Sequence, residues 1–385
     1  MSFASIRFQD GAVRMLRTAQ ARGRLPHALL FVGPRGVGKG LVARELVKLL
    51  FCASPKGGKG DARDPCGRCS ACERVDRGTH PDLAWFRKEP DRNDFRISLI
   101  SRREGGPEAT VLGSLVLYPM EAPRSVTVID DAECLNQEAA NALLKSLEEP
   151  ALHALLILLC ADASSLPGTI LSRCQWVPFR PLPEAFVAEK LAEVLAGGKG
   201  AAARPGGPPP ARVSAEEAAF VCRFAGGSIE QAVALAGSGL WDLKRRLVER
   251  LPDLDEAVAL DLAAEIAKWA AARARQDRVT KEPREETALR RAAAQTALAA
   301  VVTAVRDAAV VAAGAEGTVP LVNLDQAEAI RRLAAWPEGR LGRAIDLLAA
   351  AEDQIGRYVH TELATENALV QMSRLVPRGT LSGLT

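Results

Sequence analysis

Continuous apolar runs alternate with helical spacing through the first half of the chain. Ala28-Leu-Leu-Phe-Val32, Ser125-Val-Thr-Val-Ile129 and Ala154-Leu-Leu-Ile-Leu-Leu-Cys160 carry almost no polar interruption. Runs of that length without alternation predict strands buried on both faces, the habit of a parallel sheet. Between the last two runs the period changes: Ala139, Ala140, Leu143, Leu144 and Leu147 recur at helical spacing, and Pro150 stops the helix. Residues 11–22, and those from the glycine-rich stretch after Val32 to about Phe51, predict two more helices. Strands and helices in alternation predict an α/β fold on a parallel sheet.

Beyond Cys174 the pattern changes. Gln175-Trp-Val-Pro-Phe-Arg-Pro-Leu-Pro183 reads as a last strand and an exit turn, and a helix follows over about 184–196. Gly197 to Arg212 is a low-complexity run of Gly, Ala and Pro, the composition of a flexible insertion. Helical runs at 214–225 and 228–237 flank Gly226-Gly227-Ser228. From there on only helices are predicted, at 240–250, 255–272, 286–313, 324–336 and 341–372. Alanine-rich faces such as Ala293, Ala297, Ala300, Val301 and Ala304 suit tight helix packing, within the domain or against partner helices. The expected domains are 1–180 with a cysteine module at 52–72, a small helical lid at 181–239 with a flexible insertion at 197–213, and an all-α domain at 240–385. The tail Leu375-Val-Pro-Arg-Gly-Thr380 resembles a protease recognition sequence and carries no functional weight.

Composition adds limits. The 385 residues fit two to three domains, with 48% hydrophobic and 25% charged residues, a soluble globular balance. A net charge of +3 does not by itself argue for nucleic acid. No apolar run reads as long enough to span a membrane, and the N-terminal residues lack a signal-peptide core, so a cytoplasmic chain without a membrane partner is expected. In that reducing compartment the eight cysteines predict metal ligands or buried thiols rather than disulfides.

The candidate chemistry lies in four places. Gly33-Pro-Arg-Gly-Val-Gly-Lys-Gly40 follows a strand and opens a helix, the context of a phosphate-binding loop. Gly33, Gly36 and Gly38 would let amides face phosphates, and Lys39 sits where the phosphate-binding lysine belongs. Gly40 departs from the motif, which places Ser or Thr there as a Mg²⁺ ligand. The loop is a degenerate phosphate loop that either still holds ATP or is a relic. Asp130-Asp131, at the end of a buried run, can face the same edge of the sheet. Cys52 and Cys66-Gly-Arg-Cys69-Ser-Ala-Cys72 offer four thiols at the spacing of a structural zinc site. Arg173, between Ser172 and Cys174, is a lone cation placed just beyond the third apolar run. His80, in His80-Pro-Asp82, reads as structural; Arg102-Arg103 reads as a solvated loop or a phosphate contact.

Asn141-Ala-Leu-Leu-Lys145, Leu147-Glu-Glu-Pro150 and Ser172-Arg-Cys174 together resemble the bacterial clamp-loader ATPase family, the AAA+ subunits of the DNA polymerase III holoenzyme, over about residues 1–240. The resemblance implies an α/β AAA+ (P-loop NTPase-like) domain, a helical lid and an all-α collar. It implies a zinc module at the cysteines. It implies tau/gamma ATPase subunits and the delta subunit as partners, with the sliding clamp and primer-template DNA reached through the complex. A hydrolysing member needs a hydroxyl after the loop lysine, an Asp-Glu pair, a polar sensor on the next strand and a lid arginine. Here those positions hold Gly40, Asp130-Asp131, Cys160-Ala161 and Gln231. The resemblance therefore implies a hydrolysis-impaired subunit whose Arg173 acts as an arginine finger in trans. Two alternatives stand beside it, an active tau/gamma-type ATPase and a nucleotide-binding scaffold unrelated to DNA.

Overall fold

The computed structural model describes residues 2–57, 63–88, 94–95, 97–101, 110–197, 213–277, 283–337, 339–357 and 360–376. Arg102-Arg103, nearly all of the glycine-rich insertion and most of the 375–380 tail lie outside the described residues. The chain divides into two compact units, Met1–Pro183 and Glu184–Thr385.

The first unit is built on five parallel strands: β1 (Ala28–Val32), β2 (Leu83–Phe86), β3 (Ser125–Ile129), β4 (Ala154–Cys160) and β5 (Gln175–Pro178). Their spatial order is β2-β3-β4-β1-β5. The three uninterrupted apolar runs are the three interior strands, and every residue of β3 and β4 is buried. The edge strands are less buried because one flank meets no neighbour: β2 is half-buried throughout, and β5 exposes Gln175, Trp176 and Pro178. In the register, Val32 lies opposite Cys160 and Ile129 opposite Leu158. The interior strands thus end close to one level, and the loops after them gather at one edge.

Around the sheet run α1 (Asp10–Ala21), α2 (Lys39–Phe51), α3 (Ser70–Arg77), α4 (Ile97–Ile100), α5 (Val111–Val116), α6 (Gln137–Glu148) and α7 (Gly168–Leu171). The sequence pattern did not predict α3, α4 and α7, which span eight, four and four residues, too few to display a period. Helix α6 shows the local logic. Asn136 caps it, its Oδ1 accepting from the Ala139 amide at 2.9 Å, and Ala139, Ala140, Leu143 and Leu147 are buried. Truncating Leu143 to Ala would cost about 3 kcal/mol through lost transfer energy and the cavity left behind.

The second unit is helical among its described residues: α8 (Glu184–Leu195), α9 (Ala215–Phe224), α10 (Ile229–Leu235), α11 (Leu240–Arg250), α12 (Glu256–Asp277), α13 (Pro283–Ala312), α14 (Ala327–Ala334), α15 (Arg340–Gly356) and α16 (Thr361–Ser373). The single helix expected over 341–372 is two, parted between Gly356 and Thr361. One expectation of composition needs correction. The 27-residue stretch Glu286–Ala312 of α13, which contains an 18-residue window of mean hydropathy 1.4, is by length and composition long and apolar enough to cross a membrane. Its Ala294, Ala297, Leu298, Val301, Ala304 and Val305 are buried in the core of this unit, where α13 packs on α12, α14 and α15, so the core accounts for the apolarity. An ion pair with a buried lysine fastens α11 to the segment before α14: Lys244 Nζ donates to Asp325 Oδ1 and Oδ2 at 2.8 and 2.6 Å, beneath the rings of Phe220 and Trp241.

Candidate functional site: a phosphate loop, its acids and a cysteine cluster

The loop between β1 and α2 has the backbone of a phosphate loop. Gly38, at φ 101°, precedes the first residue of α2, Lys39, so the helix's free amides and positive dipole end lie at the sheet edge. Gly33 is required sterically, since a Cβ there would stand 2.5 Å from the Phe179 carbonyl oxygen. Gly40 is not. A Cβ at that position would meet only Leu159 and Trp85 side-chain carbons at 3.8 Å, ordinary contact. The missing hydroxyl is therefore a chemical departure and not a packing demand. Lys39 is buried, and its ammonium donates to the carbonyl oxygens of Gly33 and Pro34 at 2.5 and 2.8 Å. Burial lowers its pKa, while the carboxylates of Glu133 and Asp130 work the other way.

Asp130 and Asp131 follow β3 at the same edge. Asp131 holds a left-handed backbone, φ 58°, a region in which Asp is tolerated better than most residues. Each acid has a guanidinium. Arg87 Nε donates to Asp130 Oδ2 at 3.1 Å, and Arg35 Nη2, from the phosphate loop itself, lies 3.1 Å from Asp131 Oδ1. The same Arg35 nitrogen lies 2.9 Å from Glu133 Oε1. Glu133 also accepts from the Ala161 amide through Oε2 at 3.1 Å, bridging from the end of β3 to the end of β4. Sequence reading passed Glu133 by. Its signal was an acid three residues beyond Asp130, outside the two-residue Asp-Glu pattern. Burial raises the Asp131 carboxyl, with Arg35 opposing, and pushes the Cys160 thiol up to about 12. Cys160 is thus neutral, donating to the Asp162 carbonyl at 3.1 Å.

The glycine backbone and Lys39 fit a phosphate group. The set of donors for Mg²⁺ does not fit: position 40 offers no oxygen, and the nearby carboxylates already face arginines. Gln231, at the first turn of α10 in the second unit, brings no guanidinium; its amide caps onto Ser228 Oγ at 3.0 Å.

Cys52, Cys66, Cys69 and Cys72 come together. Their Sγ atoms all lie within 4.8 Å of one another, and the Cys52 and Cys69 sulfurs are 4.0 Å apart. A tetrahedral Zn–S bond of about 2.3 Å sets sulfurs about 3.8 Å apart, so the cluster has the dimensions of one tetrahedral ion. Backbone amides point at it: the Cys66 amide donates to Cys52 Sγ at 3.3 Å, and the Arg68 amide leads in lowering the Cys66 thiol to about 6. Four close thiols with amide donors can bind a metal ion. Cys72 begins no new segment but rides on α3, which Lys48 ties to α2 through Asp76 Oδ1 at 3.1 Å. His80 is buried against Phe51 and accepts the Asp82 amide through Nδ1 at 3.2 Å, a structural position.

Arg173 lies at the opposite end of the sheet. The chain passes through α7 before reaching it, so it precedes β5 and does not directly follow β4. Its Nη2 is 2.7 Å from Glu148 Oε1, near the end of α6, and its Nη1 donates to the Thr169 carbonyl at 3.0 Å. About a third of the side chain is exposed (35%).

Comparison with known proteins turns on this first unit. A family model described as the DNA polymerase III delta subunit matches residues 8–183. Through that region the chain is similar to the clamp-loader subunits of DNA polymerase III. It is 34% identical over 234 residues to the delta' subunit of Pseudomonas aeruginosa, covering 60% of this chain and 62% of that one. With the delta' subunit of Bacillus subtilis it shares 33% over 185 residues, 48% of this chain and 51% of that one. With the tau subunit of Salmonella typhimurium it shares 32% over 194 residues, 50% of this chain and 28% of that one. The chain thus spans less than two thirds of the length of each of these relatives. Similarity alone does not choose between the two kinds of subunit, because the identities differ by so little.

Proposed function

We propose that this chain is a delta-prime-type clamp-loader subunit, impaired in hydrolysis, that lends Arg173 to the γ-phosphate of a neighbouring ATPase subunit. The observation that carries the proposal is the contrast between the two ends of the sheet. At the phosphate-loop end, Gly40, Asp131 and the neutral Cys160 stand where a working ATPase needs a hydroxyl, a glutamate and a polar sensor, and in the sequence Gln231 takes the position of the lid arginine. At the other end a partly exposed guanidinium sits on a well-braced turn with no nucleotide site of its own to serve. A guanidinium presents a planar fork that binds phosphate bidentately and keeps its charge, so it can offset charge developing on a transferred phosphoryl group. The partners are then tau/gamma-type ATPase subunits and a delta subunit, with the sliding clamp and primer-template DNA engaged through the complex. The cysteine cluster holds zinc in this reading, as a structural ion that pins the loop between α2 and α3, and the chain works in the cytoplasm. ATP binding through Lys39 and the glycine backbone is compatible with the proposal; turnover is not.

The test is reconstitution with the ATPase subunits. Arg173→Ala should leave folding and assembly nearly unchanged, while clamp- and DNA-stimulated ATP hydrolysis by the complex falls severalfold or more. Arg173→Lys should recover little, since a point charge lacks the fork. Hydrolysis and clamp loading at the wild-type rate with Arg173→Ala would reduce Arg173 to a surface charge. An active tau/gamma-type motor is the competing reading, and turnover by the isolated chain near 1 s⁻¹, the order of working enzymes, would favour it.

A further inference from the structure

Arg35 and Glu133 are the two residues at the phosphate-loop edge that no motif accounts for. Together they form a bridge across it. Arg35 leaves the loop between Gly33 and Gly36 and reaches Asp131 at 3.1 Å and Glu133 at 2.9 Å, the far oxygen of Glu133 being held by the Ala161 amide. The Arg35 side chain is only partly covered, and although that partial desolvation lowers its pKa, Asp131 and Glu133 more than offset it and raise the value. With Arg87 on Asp130 and Lys39 nearby, three carboxylates face three side-chain cations. The charge that a divalent ion would neutralise is already neutralised from within.

We infer that the Arg35 guanidinium, clamped by Asp131 and Glu133, takes the place of Mg²⁺ in this chain, so that its phosphate loop does not respond to divalent cation. The inference rests on reading the edge as a degenerate nucleotide site, and it adds the cause of metal independence. Mg²⁺ binding here would require breaking both Arg35 contacts and would still find no oxygen at position 40. Removal of the arginine frees two carboxylates that converge on one Arg35 nitrogen, and hard cations prefer such oxygen ligands.

The measurement is equilibrium binding of a fluorescent ATP analogue to the full-length zinc-loaded chain, with Mg²⁺ present or simply omitted, no chelator being added. In the wild type Mg²⁺ should change the affinity by less than about twofold, whereas in Arg35→Ala it should tighten binding about tenfold, roughly 1.4 kcal/mol. Glu133→Gln, which keeps the shape and removes one carboxylate, should leave binding as insensitive to Mg²⁺ as in the wild type. Arg35 is more than half exposed (57%), so its replacement should not unfold the unit; a thermal melt and zinc content confirm that. If the wild type binds no nucleotide under either condition, Arg35→Ala alone decides: Mg²⁺-dependent binding supports the inference and its absence overturns it. A wild type already tightened tenfold by Mg²⁺ overturns it as well. That result without turnover would leave the delta-prime-type reading intact, whereas hydrolysis by the isolated wild-type chain would break that reading instead.

Discussion

The cysteine cluster and the phosphate-loop edge lie in the same unit and differ in how their charges are met. In the cluster, four thiols within 4.8 Å turn toward one another and toward backbone amides. Four thiols that close could bind a metal ion, which would offset the repulsion that packed thiolates otherwise feel. At the phosphate-loop edge the charged groups find partners inside the protein: Arg35 with Asp131 and Glu133, Arg87 with Asp130, Lys39 with two carbonyls. A site whose groups converge without satisfying one another can take up a ligand. A site whose groups have satisfied each other leaves less charge for a ligand to meet.

The largest effect expected from breaking this contrast is at the cluster. Structural zinc in small zinc-binding peptides is worth on the order of 10 kcal/mol of folding-linked binding energy. Protein purified without chelator should carry about one zinc per chain by metal analysis, the stoichiometry of a four-thiolate site. Cys69→Ser should lower that content and speed amide exchange through residues 52–77, with exchange in 184–385 unchanged. Zinc-free wild-type protein would remove one side of the comparison.

Next comes Lys48, which joins the two regions. It is fully buried on α2, with Glu45 Oε1 at 2.6 Å and Asp76 Oδ1 of α3 at 3.1 Å. Lys48→Met would leave the buried Glu45 without its cation and should cost about 3 kcal/mol, read from the denaturant midpoint. Adding Glu45→Gln should restore part of the loss; if the double variant is less stable than the single, the pair is not the source.

A smaller effect concerns Asp82, whose charge is met by backbone. It accepts from the amides of Met120, Glu121 and Ala122 at 2.6, 2.9 and 2.7 Å. Burial raises its pKa, but the three amides outweigh burial and hold it below its ordinary value of 3.8. A depressed carboxyl stabilises the fold fully above its unfolded pKa, and the contribution is lost as pH falls below 3.8 through the depressed folded value. Asp82→Asn should therefore cost about 1–2 kcal/mol at neutral pH and flatten the acid limb of the stability curve. An unchanged acid limb would assign the stability to other carboxyls.

The smallest expected effect is the most pointed. Gly40→Ser restores the hydroxyl in a space that accepts it, with neighbours at 3.8 Å, yet ATP turnover by the isolated chain should stay undetectable. Arg35 and the acids remain as they were. Turnover from this single change would mean that only the hydroxyl was missing.

Much of the fold could be read along the chain, for a physical reason. The three uninterrupted apolar runs became the interior strands because only strands covered on both faces tolerate such runs, and the period of α6 placed its buried face. Gly33, Lys39 and the cysteines were visible because phosphate loops and tetrahedral thiolate sites impose local spacing. What escaped were short elements and distant pairings. Helices of four residues show no period, and the break between α15 and α16 sits in a stretch whose apolar faces continue on both sides. The partners of Arg35 and Arg173 lie 98 and 25 residues from them in sequence. No spacing rule links Arg35 to Glu133. Only the order β2-β3-β4-β1-β5 brings the loop after β1 to the end of β3, and only the return of α6 across the sheet sets Glu148 beside Arg173. Chemistry carried by neighbours in sequence was determined by the sequence itself; the pairing of charges was decided by topology, because a Coulomb interaction depends on distance in space and not on separation along the chain.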